Sequence, residues 1–200
     1  MSRRRGLTLV EVLMALTLGA VVLVPVLLIF ATLSGQWARQ ISRSKAIQEA
    51  NLAVDGMAKE IREAISFLPY DAATNTANVF TLPANRDASG NYVPAWQNGT
   101  LQYQPGTQVS FYLANARGNA GGPNLWRQYK LPGGNWTADA AWSLLPGSSV
   151  PRIGDVQSLS FDATGTPPNV VRLTLTVAVT EGIRTWTYTV RRDVYMAHHN

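Results

Sequence analysis

Arg3-Arg4-Arg5-Gly6-Leu7-Thr8-Leu9-Val10-Glu11 sets three arginines and a glycine against a long apolar run that carries a single carboxylate near its start. From Leu7 to Leu33 the run has 27 residues and no charge except Glu11. As a helix it would be roughly 40 Å long, more than the roughly 30 Å hydrocarbon core of a bilayer. The run therefore reads as a membrane span. An ordinary secretory signal has a shorter apolar core, about 7–15 residues, and does not place a glutamate in its first turn. Arg3, Arg4 and Arg5 on the short side of the span predict that the N-terminus stays cytoplasmic and that the bulk of the chain lies outside. A carboxylate within a span costs on the order of 2.5–3.5 kcal/mol on insertion scales. Glu11 therefore either snorkels to the headgroups or meets a cation that the span itself does not supply.

Gly6-Leu7-Thr8-Leu9-Val10-Glu11, preceded by basic residues and followed by an apolar helix, resembles the class III signal of type IV prepilins and type II secretion pseudopilins. The resemblance implies cleavage after Gly6 by a prepilin peptidase and N-methylation of the new first residue, Leu7, where the family more often has Phe. It also implies a role for Glu11 in assembly, attracting the N-terminal ammonium of a neighbouring subunit. The implied life history is a single-pass inner-membrane protein, its C-terminal domain outside, which then enters a pilus or pseudopilus. No cofactor is implied. The implied partners are other minor pilins or pseudopilins and a major pilin.

Of the 17 basic residues, three lie in this leader, so the mature chain has 14 basic against 12 acidic side chains and the sequence pI of about 9.8 is largely a leader property. A nearly neutral domain gives no charge argument for nucleic acid. About 160 residues beyond the span suffice for one domain with its own core. There is no cysteine, so neither disulfides nor thiol chemistry can contribute. The two histidines, His198 and His199, stand together at the C-terminal end of the chain, where mobility is the expectation.

Past the span, Ile47, Ala50, Val54, Met57, Ile61, Ala64 and Leu68 recur at spacings of 3 and 4, one apolar stripe on a helix from about Gln40 to Leu68 that Pro69 stops. The stripe should cover a sheet. The other face carries Lys45, Glu49, Asp55, Lys59, Glu60 and Glu63, with i,i+4 pairs Lys45/Glu49, Asp55/Lys59 and Lys59/Glu63, and is expected to remain open to solvent or neighbouring subunits. Within the span, Pro25 removes one helical hydrogen bond and predicts a kink, with Gly19 a further weak point. The kink is either a lipid-accommodated bend or, as the resemblance implies, a place where the helix loosens in a filament.

Residues 69–99 are rich in Asn, Thr, Gly, Pro and Ala and read as a long connection with short strand-like pieces such as Val79-Phe80-Thr81-Leu82. Val109, Phe111 and Leu113 then alternate with Ser110 and Tyr112, and Leu125 to Leu131 returns across a glycine-rich loop, a hairpin. The loop is followed by no helix and closed by no Lys-Ser/Thr pair, so it is a turn rather than a phosphate cradle. Val171, Leu173, Leu175, Val177 and Val179 face one way and Arg172, Thr174, Thr176 and Thr180 the other. After a turn at Glu181-Gly182, Trp186, Tyr188 and Val190 alternate with Thr185, Thr187 and Thr189 to close a second hairpin. These two hairpins are similar to those of J-type minor pseudopilins and W-type minor pilins.

The expected architecture is α+β, a type IV pilin-like fold: leader 1–6, membrane half of the helix 7–33, amphipathic half 34–68, and a β-rich domain 69–200 outside the membrane, its long N-terminal helix packed on an antiparallel sheet. Asp71, Asp87, Asp139, Asp155 and Asp162 stand singly in polar loops and no serine has a nucleophile-elbow context, so an enzyme is not expected. Two sequons, at Asn98 and Asn135, carry no weight as short chance patterns. The competing function is a displayed binding module presenting Trp96, Trp126, Trp136 and Trp142 to DNA or glycan. Core packing of those tryptophans is the simpler expectation.

Overall fold

The structure is a computed structural model that describes residues 8–68, 78–115, 122–138, 155–164, 169–181 and 184–197. It forms two compact units, Met1–Ser44 and Lys45–Asn200. Helix α1 spans Leu9–Glu63. Ten strands follow: β1 Ser66–Leu68, β2 Val79–Pro83, β3 Ala95–Gln97, β4 Thr100–Gln102, β5 Pro105–Ala114, β6 Asn124–Lys130, β7 Trp136–Ala138, β8 Val156–Thr164, β9 Val170–Glu181 and β10 Arg184–Tyr195. They make a five-stranded sheet in the order β1-β2-β5-β6-β7, a three-stranded sheet β10-β9-β8 and the hairpin β3-β4, all antiparallel. One long helix followed by antiparallel sheet is the α+β layout expected of a pilin-like fold.

In the second unit, α1 buries Ala50, Ala53, Val54, Met57, Ala58 and Ile61. Three of these six are alanines, so the larger side chains of the strands supply most of the volume at this face. The facing side chains include Phe80, Val109, Phe111 and Leu125 from the five-stranded sheet and Phe161, Val171, Leu173, Leu175 and Val177 from the three-stranded one. Phenylalanines bridge the two sheets. Phe80 lies 4.9 Å from Phe67 and 5.3 Å from Phe161 between ring centroids, and Phe111 lies 6.1 Å from Phe161. Aromatic pairs at these distances add about 0.5–1.5 kcal/mol each beyond their buried area.

The helix ends earlier than its apolar spacing predicts. Ala64 remains on the buried side, but the Ile65 N–H donates to Thr81 O at 2.8 Å, and Ser66, Phe67 and Leu68 pair with Thr81, Phe80 and Val79. A segment rich in β-branched and aromatic residues gains more from closing the sheet edge than from another helical turn. Leu68 is consequently 57 % exposed and leaves the stripe, and Ile47 at its other end is only half-buried. Pro69, the expected stop, lies outside the described residues.

The segment read as a long connection contributes real structure. β2 is an inner strand of the five-stranded sheet, with Val79, Phe80 and Thr81 buried. Asn98 and Gly99, at φ 48° and 81°, turn β3 into β4, and this Asn-Gly pair is the strongest local hairpin signal a sequence can carry. The β5-β6 hairpin is present as expected, Phe111 opposite Arg127 and Leu113 opposite Leu125, but Ser110, expected on a polar face, is fully buried. The closing hairpin forms as expected, with Trp186 opposite Val179, Tyr188 opposite Val177 and Val190 opposite Leu175, but Glu181, expected in the turn, is the last residue of β9 and pairs with Arg184. Its turn, Gly182 included, lies outside the described residues.

Strand β8 was not legible in the sequence. A register shift between Val156 and Ser158 breaks its alternation, so that Val156, Leu159 and Phe161 face the core together, opposite Val177, Leu175 and Leu173. An extra residue in one strand resets the period-2 pattern.

The charged face of α1 is not left open. Glu60 accepts from Arg127 Nε of β6 at 3.0 Å, with both side chains under 20 % exposed. Glu63 lies 3.7 Å from Arg86, and Asp55 is paired with Arg192 of β10. The Lys45–Glu49 pair forms within the helix as expected, at 3.8 Å. The reading of this face as wholly available for partners is therefore corrected: strands β6 and β10 and the loop after β2 supply cations to three of its four carboxylates, an outcome that needs distant segments to be brought beside the helix. Truncating Arg127 to Ala should destabilise the domain by about 1.5–3 kcal/mol, because it removes a charge-assisted hydrogen bond to a largely buried carboxylate. Lys45→Ala should cost no more than about 0.5 kcal/mol, as expected for an exposed i,i+4 pair. Urea denaturation of the two variants measures the contrast.

Candidate functional site

The sequence places the functional chemistry at the start of α1, and the geometry there is local and well defined. Thr8 stands immediately before the helix, and the first intrahelical bond runs from the Val12 N–H to Thr8 O at 3.2 Å. The Glu11 N–H donates to Thr8 Oγ1 at 3.4 Å, while Glu11 Oε2 accepts from the Thr8 N–H at 2.9 Å and from the Thr8 hydroxyl at 3.0 Å. This is a reciprocal capping box, in which two otherwise orphaned N–H groups of the first turn are satisfied by side chains. Its sequence signature, Thr8-Leu9-Val10-Glu11, is a Thr followed three residues later by Glu ahead of an apolar run.

Glu11 thus has partners of its own within the chain, which neither reading drawn from the sequence considered. The carboxylate sits beside the helix N-terminus, whose dipole favours negative charge. Gly6 and Leu7, the expected cleavage and methylation positions, lie outside the described residues.

Beyond the cap, α1 exposes its apolar side chains all round: Leu9, Val21, Leu27, Leu28 and Phe30 are each more than half exposed. The helix is long and apolar enough to cross a membrane, and no residue of its most apolar 18-residue window is buried by the protein. Its few polar side chains bond inward. Thr17 donates to Met14 O at 3.0 Å, Thr32 to Leu28 O at 2.8 Å and Ser34 to Ala31 O at 2.9 Å, so these hydroxyls need no solvent. The secondary structure runs unbroken through Pro25, although that residue leaves the Val21 carbonyl without its helical donor.

A capped helix whose N-terminal half is apolar and exposed, preceded in sequence by Arg3-Arg4-Arg5, is the arrangement that the known families share. The prokaryotic N-terminal methylation motif matches residues 1–27. The N-terminal segment is thus similar to that of type IV prepilin-like proteins. No curated protein and no solved structure matches the chain. The motif ends inside α1, so the prepilin-like assignment rests on the segment that carries the cap and the span. The motif is that of pilin-type structural proteins.

The other candidate residues do not converge. Trp126 is 4 % exposed, with its indole N–H unpartnered among the described residues, which removes it from any displayed surface. Trp96, by contrast, is 75 % exposed on β3 opposite Leu101, so the expectation of core packing fails there. Trp136 is half-buried on β7, and Trp142, His198 and His199 lie outside the described residues. A cleft of about 390 Å³ between β2, β5 and the β3 approach is lined by Arg86, Tyr92 and Arg127 among others. Its two guanidiniums are already engaged by Glu63 and Glu60.

Removal of the cap should loosen the first turn. Thr8→Ala is expected to cost about 1 kcal/mol locally, seen as about five-fold faster amide exchange from Val10 to Val12 in detergent micelles, with Thr8→Ser restoring protection.

Proposed function

We propose that this protein is a minor pilin or pseudopilin, a structural subunit withdrawn from the inner membrane into a type IV pilus, a DNA-uptake pilus or a type II secretion pseudopilus, at or near its tip. The observation that carries the reading is the methylation motif at 1–27 joined to a helix whose apolar surface the protein itself leaves uncovered. Such a surface has two suitable environments, lipid before assembly and other helices of the same kind after it. The β5-β6 and β9-β10 hairpins support the likeness to J-type pseudopilins and W-type pilins.

In this reading a prepilin peptidase cuts between Gly6 and Leu7, and Leu7 becomes the methylated N-terminus. The peptidase and the membrane handle the precursor; the major pilin and other minor subunits receive the mature form, with the C-terminal domain outside. Pro25 gives the span a place to bend as it passes from lipid to filament. Glu11, about 6 Å along the axis from the new terminus, is within reach of the ammonium of an axially displaced neighbour. The Thr8 contacts keep that carboxylate at the helix start rather than free to snorkel. The displayed binding module is the second reading, and exposed Trp96 is the observation that favours it.

Mass spectrometry of the N-terminal peptide from membranes should find N-methylated Leu7 as the first residue; recovery of Met1 or Ser2 in assembled material would reject the processing reading. Glu11→Leu should insert normally yet enter filaments or tip complexes poorly, since an ion pair in low dielectric fails when one charge is removed. Incorporation equal to wild type would leave Glu11 as a helix cap alone.

A further inference from the structure

Strand β10 forms one edge of the three-stranded sheet and pairs with β9 over twelve consecutive residues, Arg184 opposite Glu181 through Tyr195 opposite Val170, with no register shift. Two other ladders, β2 with β5 and β8 with β9, are each interrupted by one. Two hydrogen bonds fix which backbone groups of β10 point outward. The Ala178 N–H donates away from β10, to Asp155 O at 2.8 Å, so Ala178 and Thr187 are a non-hydrogen-bonded pair. The Met196 N–H donates across to Asn169 O at 2.9 Å, which gives the even-numbered residues the bonds to β9. By alternation, the N–H and C=O groups of Thr185, Thr187, Thr189 and Arg191 face the open edge. All four residues are exposed.

Natural sheets blunt such edges with proline, bulges or inward charge. The stretch Thr185-Trp186-Thr187-Tyr188-Thr189-Val190 has none of these and consists entirely of residues that favour strands. It is bounded by Arg184 and Arg191, neither of which forms an ion pair among the described residues, whereas Arg192 and Asp193 are committed to Asp55 and Arg172. Trp186, Tyr188 and Val190 line one side of the stretch, and the three threonines line the other, where Thr189 is hydrogen-bonded to Thr176 at 3.0 Å.

We propose that β10 is a docking edge that receives one extended strand from a neighbouring subunit, a strand alternating apolar with hydroxyl side chains and carrying a carboxylate near each end. Backbone pairing supplies the attachment, and the alternation places apolar residues beside Trp186 and Tyr188 and hydroxyls beside the threonines. Arg184 and Arg191, which bound the stretch without forming a close ion pair among the described residues, select the terminal charges. A second copy of β10 fits less well, because it brings four arginines to one seam while Asp193 is already held by Arg172 in two hydrogen bonds. The neighbour's being a subunit rests on the assembly function proposed above.

The probe is a fluorescein-labelled peptide, Glu-Val-Thr-Val-Thr-Val-Glu, added to the full chain in detergent micelles and followed by anisotropy. It should bind, and the same peptide with lysine at both ends should bind at least about ten-fold more weakly. Thr187→Pro should weaken binding at least about ten-fold with the melting temperature nearly unchanged, since that N–H makes no ladder bond and proline is tolerated at outward edge positions. In the wild-type chain, amide exchange at Thr185, Thr187 and Thr189 should slow when the peptide is added, a measurement that decides the matter if the proline variant does not fold. No binding, equal binding of the lysine-ended peptide, or unchanged exchange at the three threonines overturns the proposal. Because the chain has no cysteine, a disulfide-linked dimer of Thr187→Cys under mild oxidation would also overturn it, assigning the edge to a second copy. Processing at Leu7 and entry of the wild-type chain into filaments are read separately, so failure here is distinguishable from failure of the assembly function.

Discussion

Burial of one alanine-rich face of α1 against two sheets is the contact on which the domain depends. Without disulfides or a metal cluster among the described residues, packing has to supply the stability, and it does so through a core to which helix and both sheets contribute. Ala50, Ala53 and Ala58 contribute little side-chain volume, and the phenylalanines of β1, β2, β5 and β8 fill the core beside them. Phe161 is the joint in this arrangement. It contacts Phe80 and Phe111, so the three-stranded sheet is tied to the five-stranded one by aromatic contacts rather than by strand pairing.

Charge is arranged on top of that packing. Each sheet sends arginine side chains to the carboxylates of α1, Arg127 from the larger sheet and Arg192 from the smaller, while Arg86 joins from the loop after β2 and stacks on the ring of Tyr92 at 3.9 Å. The Glu60–Arg127 pair is the most sheltered and therefore the one with most to lose. The others lie nearer solvent and contribute mainly orientation.

The N-terminal half of α1 obeys the opposite rule. Its apolar residues are exposed all round, so lipid or protein must cover them, and its polar side chains turn back onto the helix. Glu11 is the exception that the capping box resolves: the carboxylate is used at once by Thr8, in the one part of an α-helix where unsatisfied N–H groups favour an anion. Local satisfaction and the proposed contact with a neighbour's ammonium are compatible, because a carboxylate accepts several hydrogen bonds.

What the sequence determined by itself was whatever follows from short-range pattern: the apolar run of the N-terminal helix, the prepilin-like motif, the part of the Ile47–Leu68 stripe from Ala50 to Ala64 that is buried, and the existence and facing of the β9-β10 hairpin. These depend on period and local chemistry, which a linear reading contains. Two further signals of the same kind, the Thr8–Glu11 cap and the Asn98-Gly99 turn, were equally present and were missed. Only the tertiary structure decided that residues 66–68 close a sheet instead of extending a helix, that β8 carries a shift that hides its alternation, that Trp126 is buried while Trp96 is exposed, and that the carboxylates of α1 are met by Arg86, Arg127 and Arg192. Each of these is fixed by partners far away in the chain, and pairing energy between distant segments leaves no period in the sequence of either one.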